Sequence, residues 1–372
     1  MKLRLALLLP LLLAACGGST GGGTTPGADT AIDAEGDSFV DDGSVVPDTT
    51  AGDTTTLPDS TSKPDTHVLD APPPPPSSPI TLDVFPDDGK TVITKAIKAA
   101  TKSVHVEVYL LTDSYVVDAL VAAKGAGREV SVLLEKSPYP DLTANQSAYD
   151  TLKAGGVNVA WTTGLYQLTH AKLMIIDAAT AYIMTLNLTA SGVLSNREYA
   201  AIDTDPADVA EAEQIFAADF ASYSNPKLTG ILVVSPLAAR APLTALIDSA
   251  TKSIDLEMEE LSDATIVGHL VAELGKGIAV RVIVPSSGRS AGTDAQLAAL
   301  KAKGAQIKTL STPAVHAKII VVDAARLYVG SVNLTKASLE YNREVGVISD
   351  SAAAVARAEA TIGGDFGKGA AY

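Results

Sequence analysis

Thr169-His170-Ala171-Lys172-Leu173-Met174-Ile175-Ile176-Asp177 and Val315-His316-Ala317-Lys318-Ile319-Ile320-Val321-Val322-Asp323 are one phrase written twice. Each places a histidine, a lysine two residues on, four apolar residues and an aspartate in a run that reads as a buried strand. On a strand, side chains two apart share a face. The histidine and lysine therefore point the same way, and Asp177 and Asp323 point the other way, where they are expected to tie the turn after each strand. A second apolar run follows each phrase after a short turn, Ala181 to Leu188 in the first case. On these runs Thr185 with Asn187, and Ser331 with Asn333, are predicted to share a face. Polar groups in two otherwise apolar strands are costly without partners. A histidine, a lysine, a hydroxyl and an amide converging in each copy would suit an oxyanion. The lysine supplies charge, the amide and hydroxyl directed hydrogen bonds, and the histidine nucleophilic or proton-transfer chemistry.

Working outward, the duplication extends well beyond the phrase. A shift of 150 carries Thr101-Lys102-Ser103 onto Thr251-Lys252-Ser253, Glu107 onto Glu257, Asp113 onto Asp263 and Gly125 onto Gly275. From the histidines onward the shift is 146, pairing Asn187 with Asn333 and Glu198 with Glu344. A repeat of this length is too long for a solenoid unit and reads as a duplicated domain. Within the first copy the periodicity alternates. Helical spacing over Pro86 to Ala100, Tyr115 to Ala123, Ala144 to Ala154 and Asp208 to Tyr223 is interleaved with strand-like runs over Ser103 to Leu111, Glu129 to Leu134, Val157 to Thr162 and the two apolar runs. Such alternation predicts an α/β sandwich, mixed because of the late hairpin.

The ends of the chain differ in kind. Met1 to Arg4 supplies two positive charges, Leu5 to Leu13 is apolar, and Ala14-Ala15-Cys16 follows, the pattern of an export signal. The run is short of the ~20 residues needed to span a bilayer. Leu13-Ala14-Ala15-Cys16 resembles the bacterial lipobox, so residues 1–16 are read as a lipoprotein signal with Cys16 as lipid anchor. Gly17 lacks the aspartate associated with inner-membrane retention, which favours the outer membrane or cell surface of a bacterial envelope. Residues 17–79 are Gly, Thr, Asp, Ser and Pro, end in Pro72 to Pro76, and carry −10 of the net −15. They form a predicted disordered acidic tether, with an inert His67. The remainder divides into domains at 80–229 and 230–372. Its mildly acidic balance argues against a nonspecific nucleic-acid coat protein, and a single cysteine excludes a disulfide framework or cysteine zinc site.

Two H-x-K-x4-D phrases at a fixed offset, each followed by a G-S-x-N-like segment and an N-x-E, resemble the phospholipase D superfamily. The resemblance covers about residues 80 to 372. Gly330-Ser331-Val332-Asn333 fits the family pattern. Met184-Thr185-Leu186-Asn187 departs from it, with Met for Gly and Thr for Ser. The resemblance implies two tandem phospholipase D-like α/β sandwich domains related by a pseudo-twofold axis, with the active site at their interface. It implies that His170 attacks phosphorus as the nucleophile and His316 serves as acid and base. Lys172, Lys318, Asn187 and Asn333 would hold the nonbridging oxygens, and Glu198 and Glu344 the far histidine nitrogens, with Asp177, Thr185, Asp323 and Ser331 in support. No metal and no cofactor is called for, since positive groups already neutralise the phosphate.

For the substrate, the anchor and the acidic globular part favour a phospholipid, hydrolysed or headgroup-exchanged. Tyr139, Leu142, Trp161, Leu165, Tyr166 and Leu168 are candidates for an apolar rim. A surface nuclease comes second, with Arg197, Arg289 and Arg343 as candidate polyanion contacts. A cardiolipin synthase-like transferase and an idle lipid-anchored binding module are the further alternatives. The duplication supplies internally what single-motif members obtain by dimerising, so a monomer is expected. His105 is read as a core or strand-edge histidine and His269 as a surface one. Asn145-Gln146-Ser147, Asn187-Leu188-Thr189 and Asn333-Leu334-Thr335 match a glycosylation pattern but are discounted in a chain with a bacterial leader.

Overall fold

The computed structural model describes residues 79–372 except 224, 225, 227, 230 and 231. The predicted lipoprotein signal with Cys16, and the predicted tether with His67, lie outside the described residues apart from Pro79. In the first half the chain runs β1 (Ile80–Phe85), α1 (Val92–Ala99), β2 (Ser103–Val108), α2 (Ser114–Gly125), β3 (Glu129–Leu134), α3 (Gln146–Ala154), β4 (Asn158–Trp161), β5 (Lys172–Ile176), β6 (Thr180–Met184), α4 (Ala190–Leu194), β7 (Asn196–Asp203) and α5 (Pro206–Phe220). The second half repeats it as β8 (Val233–Ser235), α6 (Arg240–Asp248), β9 (Ser253–Met258), α7 (Ala264–Gly275), β10 (Ala279–Pro285), α8 (Ala291–Ala302), β11 (Gln306–Leu310), β12 (Ala314–Val315), β13 (Lys318–Val322), β14 (Arg326–Gly330), α9 (Lys336–Glu340), β15 (Glu344–Ser349), α10 (Ala352–Lys368) and β16 (Ala370–Ala371).

Each half builds a mixed sheet, ordered β1-β7-β6-β5-β2-β3-β4 in the first and β16-β11-β10-β9-β13-β14-β15-β8 in the second. Parallel pairs β2–β3 and β9–β10 are made by helical crossovers, while β5–β6 and β13–β14 are the expected hairpins. This is the α/β sandwich, twice, that the periodicity predicted. Asp113 and Asp263 start the equivalent helices α2 and α7 by accepting the N–H groups of Tyr115 and Ile266. Thr189 and Thr335, which completed two glycosylation-like triplets, cap α4 and α9 through their hydroxyls.

Among the described residues the apolar alternation builds three large cores, with a small separate cluster of Tyr109, Leu110 and Leu168. One lies outside the first sheet, under α1 to α3 (Ile93, Ile97, Val106, Leu120, Met174), and one outside the second, under α6 to α8 (Leu246, Leu256, Leu270, Leu297, Ile320). The third joins the inner faces of both sheets with α5 and α10, through Leu173, Ile175, Ile215, Phe216, Ile319, Val321, Val347 and Ile362. A core shared by both halves fixes their relative placement, because neither inner face is covered without the other. Among the described residues no helix is long and apolar enough to cross a membrane.

Candidate active site

The halves exchange short extended segments just ahead of their histidines. Ala314 and Val315 of β12 pair parallel with Asn196 and Arg197 of β7, and Thr169 bridges to Arg343 in the mirror-image position. The His170 N–H donates to the Arg343 carbonyl at 2.9 Å, and the His316 N–H to the Arg197 carbonyl at 3.3 Å. Each histidine is thereby laid beside the glutamate of the other half. Glu344 lies 2.9 and 3.0 Å from His170 Nδ1, and Glu198 lies 2.6 Å from His316 Nδ1. A carboxylate at Nδ1 assigns the proton to that nitrogen and leaves Nε2 for chemistry.

Lysine and asparagine complete each copy. Lys172 Nζ lies 3.0 Å from His170 Nε2 and 2.9 Å from the His170 carbonyl. Lys318 Nζ lies 3.3 and 3.4 Å from the two His316 ring nitrogens and 2.8 Å from the His316 carbonyl. Asn187 and Asn333 are buried, each with an amide oxygen lacking a partner, a cost commonly accepted where a ligand binds. The ammonium groups and the amide Nδ2 groups form a donor set for an oxyanion, with the two Nε2 atoms beside them.

The copies differ on one wall. Val108 pairs with Lys172 and Met258 with Lys318, so Tyr109 and Glu259, each one residue on, hold equivalent places. Tyr109 meets the His170 ring edge-on at 4.8 Å, with Lys172 Nζ 5.3 Å from its own ring centre. Glu259 instead puts Oε2 2.5 Å from Lys318 Nζ, 3.3 Å from Asn333 Nδ2 and 3.6 Å from His316 Nε2. Reading the sequence alone singled out neither residue, although the 150-residue alignment itself sets Tyr109 against Glu259. Glu135 was missed as well. It follows β3 directly and accepts the Thr169 N–H at 2.8 Å, anchoring the segment that leads into His170.

The aspartates of the phrase face away from this set. Asp177 accepts from the N–H groups of Thr101, Lys102 and Ser103 and from the Thr101 hydroxyl, and Asp323 does the same with Thr251, Lys252 and Ser253. They sit at hairpin turns whose central residues all have positive φ, 56° and 50° at Asp177 and Ala178, 56° and 52° at Asp323 and Ala324. Turns of this kind favour Asn-Gly, and the carboxylate contacts hold an alanine there instead. Partial burial pushes the Asp177 pKa up, but hydrogen bonds from Lys102, Ser103 and Thr101 outweigh it and hold the carboxyl well below its ordinary range.

Three expectations need correction. Strands β6 and β14 end at Met184 and Gly330, so Thr185, Asn187, Ser331 and Asn333 lie past them, and alternation does not set their directions. The Thr185 hydroxyl donates to Glu198 and accepts from the Tyr199 N–H, and Ser331 binds Val345 backbone. These hydroxyls brace the site from behind and do not converge on it. Arg197 and Arg343 offer no polyanion contact. Each is buried, Arg197 on Asp365 and the Phe85 carbonyl, Arg343 on Asp219 and the Ser235 carbonyl, while Arg289 is turned onto Asp294 and Pro285. Of the rim candidates, Tyr139, Leu142 and Leu165 are exposed, but Trp161 stacks on Tyr149, Tyr166 bonds to Arg343 and Leu168 is buried. Met184, the departure from the G-S-x-N pattern, belongs to the outer core of the first half. Its counterpart Gly330 is required by the neighbouring strand, since an added Cβ would run into the Gly346 Cα and lie 2.6 Å from the Val345 carbonyl oxygen. His105 packs on Phe216 and pairs with Glu213, and His269 pairs with Asp248 at the surface.

Behind the histidines, each half buries a glutamate facing the other. Burial raises Glu107 well above its ordinary range, with the Asp219 carboxylate adding to the effect and Arg343 opposing it. Burial likewise pushes Glu257 up to about 8, against a hydrogen bond from the Tyr199 hydroxyl at 2.6 Å. In front, a cleft of about 740 Å³ opens from His170 and Asn333 along the second half, past Gln167, Ser262, Thr265 and Tyr341.

Comparison with known proteins places this arrangement. The family model described as "Cardiolipin synthase, PLD-like domain" matches residues 93–220 and 243–365, one copy per half. Polyphosphate kinases of Yersinia pestis and Salmonella typhimurium are 25% identical over 198 residues, which is 49% of this chain and 28% of theirs. The chain thus spans little more than a quarter of those curated relatives. Phosphatidylserine synthase of Haemophilus influenzae superposes with a TM-score of 0.58 at 12% identity, over 77% of this chain and 88% of that one. Polyphosphate kinase of Porphyromonas gingivalis gives 0.57 at 14%, over 72% and 47%. At these identities the likeness is one of fold.

Proposed function

The chain belongs to the cardiolipin synthase, PLD-like domain family, and from that premise we propose that it is a phospholipase D-type phosphodiesterase. It hydrolyses or transfers the headgroup of a phospholipid through a covalent phosphohistidine. The observation that carries the reading is the crossed pairing of His170 with Glu344 and His316 with Glu198, beside Lys172 and Lys318.

The two histidines are not equivalent, which supports distinct roles. His170 Nε2 faces the Lys172 ammonium, which favours a lone pair there and a neutral ring. His316 has Glu198 at Nδ1 and, beside Lys318 at 3.4 Å, a second carboxylate, Glu259, 3.6 Å from Nε2, an acceptor that His170 lacks on that side. His170 Nε2 attacks phosphorus, the P–O bond to the leaving alcohol breaks, and His316 gives that oxygen its proton. His316 then takes a proton from water or a second alcohol as its oxygen attacks phosphorus, and the P–N bond to His170 breaks. The lysines and asparagines carry the nonbridging oxygens, so the step is assigned no metal.

A phospholipid is favoured over nucleic acid because Arg197 and Arg343 are consumed inside the fold, while Tyr139, Leu142 and Leu165 are exposed. The predicted lipid anchor on Cys16 would keep the enzyme at a bacterial envelope membrane, and as a monomer, since one chain supplies both histidines.

The test is the full chain in EDTA with mixed phospholipids and a primary alcohol, read by mass spectrometry for the phosphatidyl-alcohol. Product is expected, with none from His170→Ala, and a rapid quench should place phosphate on the peptide containing His170. Untouched lipid alongside cleaved single-stranded or duplex DNA would replace the phospholipid reading with the nuclease one.

A further inference from the structure

We infer that Glu259 selects the substrate's leaving group, and that the site is built for a phosphodiester whose departing alcohol carries an ammonium. The inference rests on the phospholipid reading above and names the headgroup class within it.

In the structure the Glu259 carboxylate occupies the second copy's oxyanion cradle, within reach of Lys318, Asn333 and His316 Nε2. The equivalent place in the first copy is the ring of Tyr109, which carries no charge at the cradle. The asymmetry falls on the side where His316 protonates the leaving oxygen. A phosphate that draws Lys318 and Asn333 to its own oxygens takes them from Glu259. That would leave a largely buried carboxylate, 13% exposed, stripped of its ammonium and amide partners beside an anion, which is costly. A leaving group with an ammonium two carbons from its oxygen resolves this by exchange of partners. Lys318 turns to the phosphate, and the headgroup ammonium takes its place on Glu259. A neutral leaving group leaves Glu259 facing only His316, whose proton passes to the leaving oxygen. One carrying a further phosphate, as in a nucleic acid, sets a second negative charge against it. Glu259 therefore acts both by attracting one class and by repelling another.

The experiment compares kcat/KM of the full chain on dihexanoyl phosphatidylethanolamine and dihexanoyl phosphatidylmethanol, both monomeric in solution. The native chain is expected to favour the ethanolamine ester by at least about tenfold, the ratio that corresponds to about 1.4 kcal/mol. Glu259→Gln should bring the ratio near one, and Glu259→Asp should retain a preference. As a reading that needs no variant, O-phosphoethanolamine should inhibit the native chain at lower concentration than methyl phosphate. A ratio unchanged in Glu259→Gln, or equal inhibition by the two phosphates, overturns the assignment of Glu259 while leaving the phospholipid reading in place. A native chain that cleaves neither ester removes the phospholipid reading, and this inference with it.

Discussion

Replacing Asp177 separates a structural from a catalytic role for the last residue of the repeated phrase. Its carboxylate accepts three backbone N–H groups and one hydroxyl from Thr101 to Ser103. In Asp177→Ala water reaches the freed donors, so each contact counts at the low end, about 0.5–1 kcal/mol. An alanine at the positive φ of this turn adds about 1 kcal/mol, giving roughly 3–5 kcal/mol in all. Asparagine tolerates that backbone and keeps one acceptor oxygen, so Asp177→Asn should cost less, about 1–2 kcal/mol. Urea unfolding of the full chain at neutral pH measures both, and turnover well below the midpoint should match the native chain. The pH dependence follows from the lowered carboxyl pKa. Its contribution is complete above the ordinary value of 3.8 and is lost as pH falls through the lower folded value. The native chain and Asp177→Asn should therefore converge in stability as acid is added below that value. An Asn variant of native stability that has lost turnover would refute this assignment and return Asp177 to the reaction.

Two further predictions concern the contact between halves. Arg343→Met leaves Asp219 buried without its guanidinium and should cost about 3–5 kcal/mol, part of which Asp219→Leu in the same chain should restore; urea unfolding of the single and double variants checks it. Glu257, raised by burial to about 8 from an ordinary 4.5, binds its proton more tightly folded than unfolded. Its contribution is therefore full below pH 4.5 and is lost as pH rises through 8, with a slope of at most about 1.4 kcal/mol per pH unit. Glu257→Gln should flatten the stability profile across that window.

Much of this was legible because chemistry and periodicity coincide in the sequence. The apolar runs after His170 and His316 have strand alternation and a turn between them, and the second copy repeats them at one offset. What was hidden depends on partners from the other half. Asn196–Asp203 opens with the polar run Asn-Arg-Glu, yet it is strand β7, because Arg197 finds Asp365 across the interface; the contact of Glu198 with His316 is the one the resemblance implied. The alternation argument failed at Thr185 and Ser331 for a local reason, since the chain leaves the sheet one residue earlier. Glu259 escaped notice because an acidic residue in the run Glu259-Glu260 has an ordinary exposed reading, and only the fold brings it onto Lys318.

The exchanged segments ahead of the histidines constrain how the duplicated halves can drift apart. Since each histidine is oriented by a carboxylate carried on the other copy, a change to Asn-Arg-Glu in one half is felt in the chemistry of its sister. Three differences around the site, and the two Asn-Arg-Glu runs, fit that rule. Tyr109 against Glu259, Leu110 against Glu260 and Met184 against Gly330 all fall outside the exchanged strands, while Asn196-Arg197-Glu198 and Asn342-Arg343-Glu344 remain identical. Substrate choice can thus evolve on one copy alone, whereas the catalytic pairing is inherited jointly.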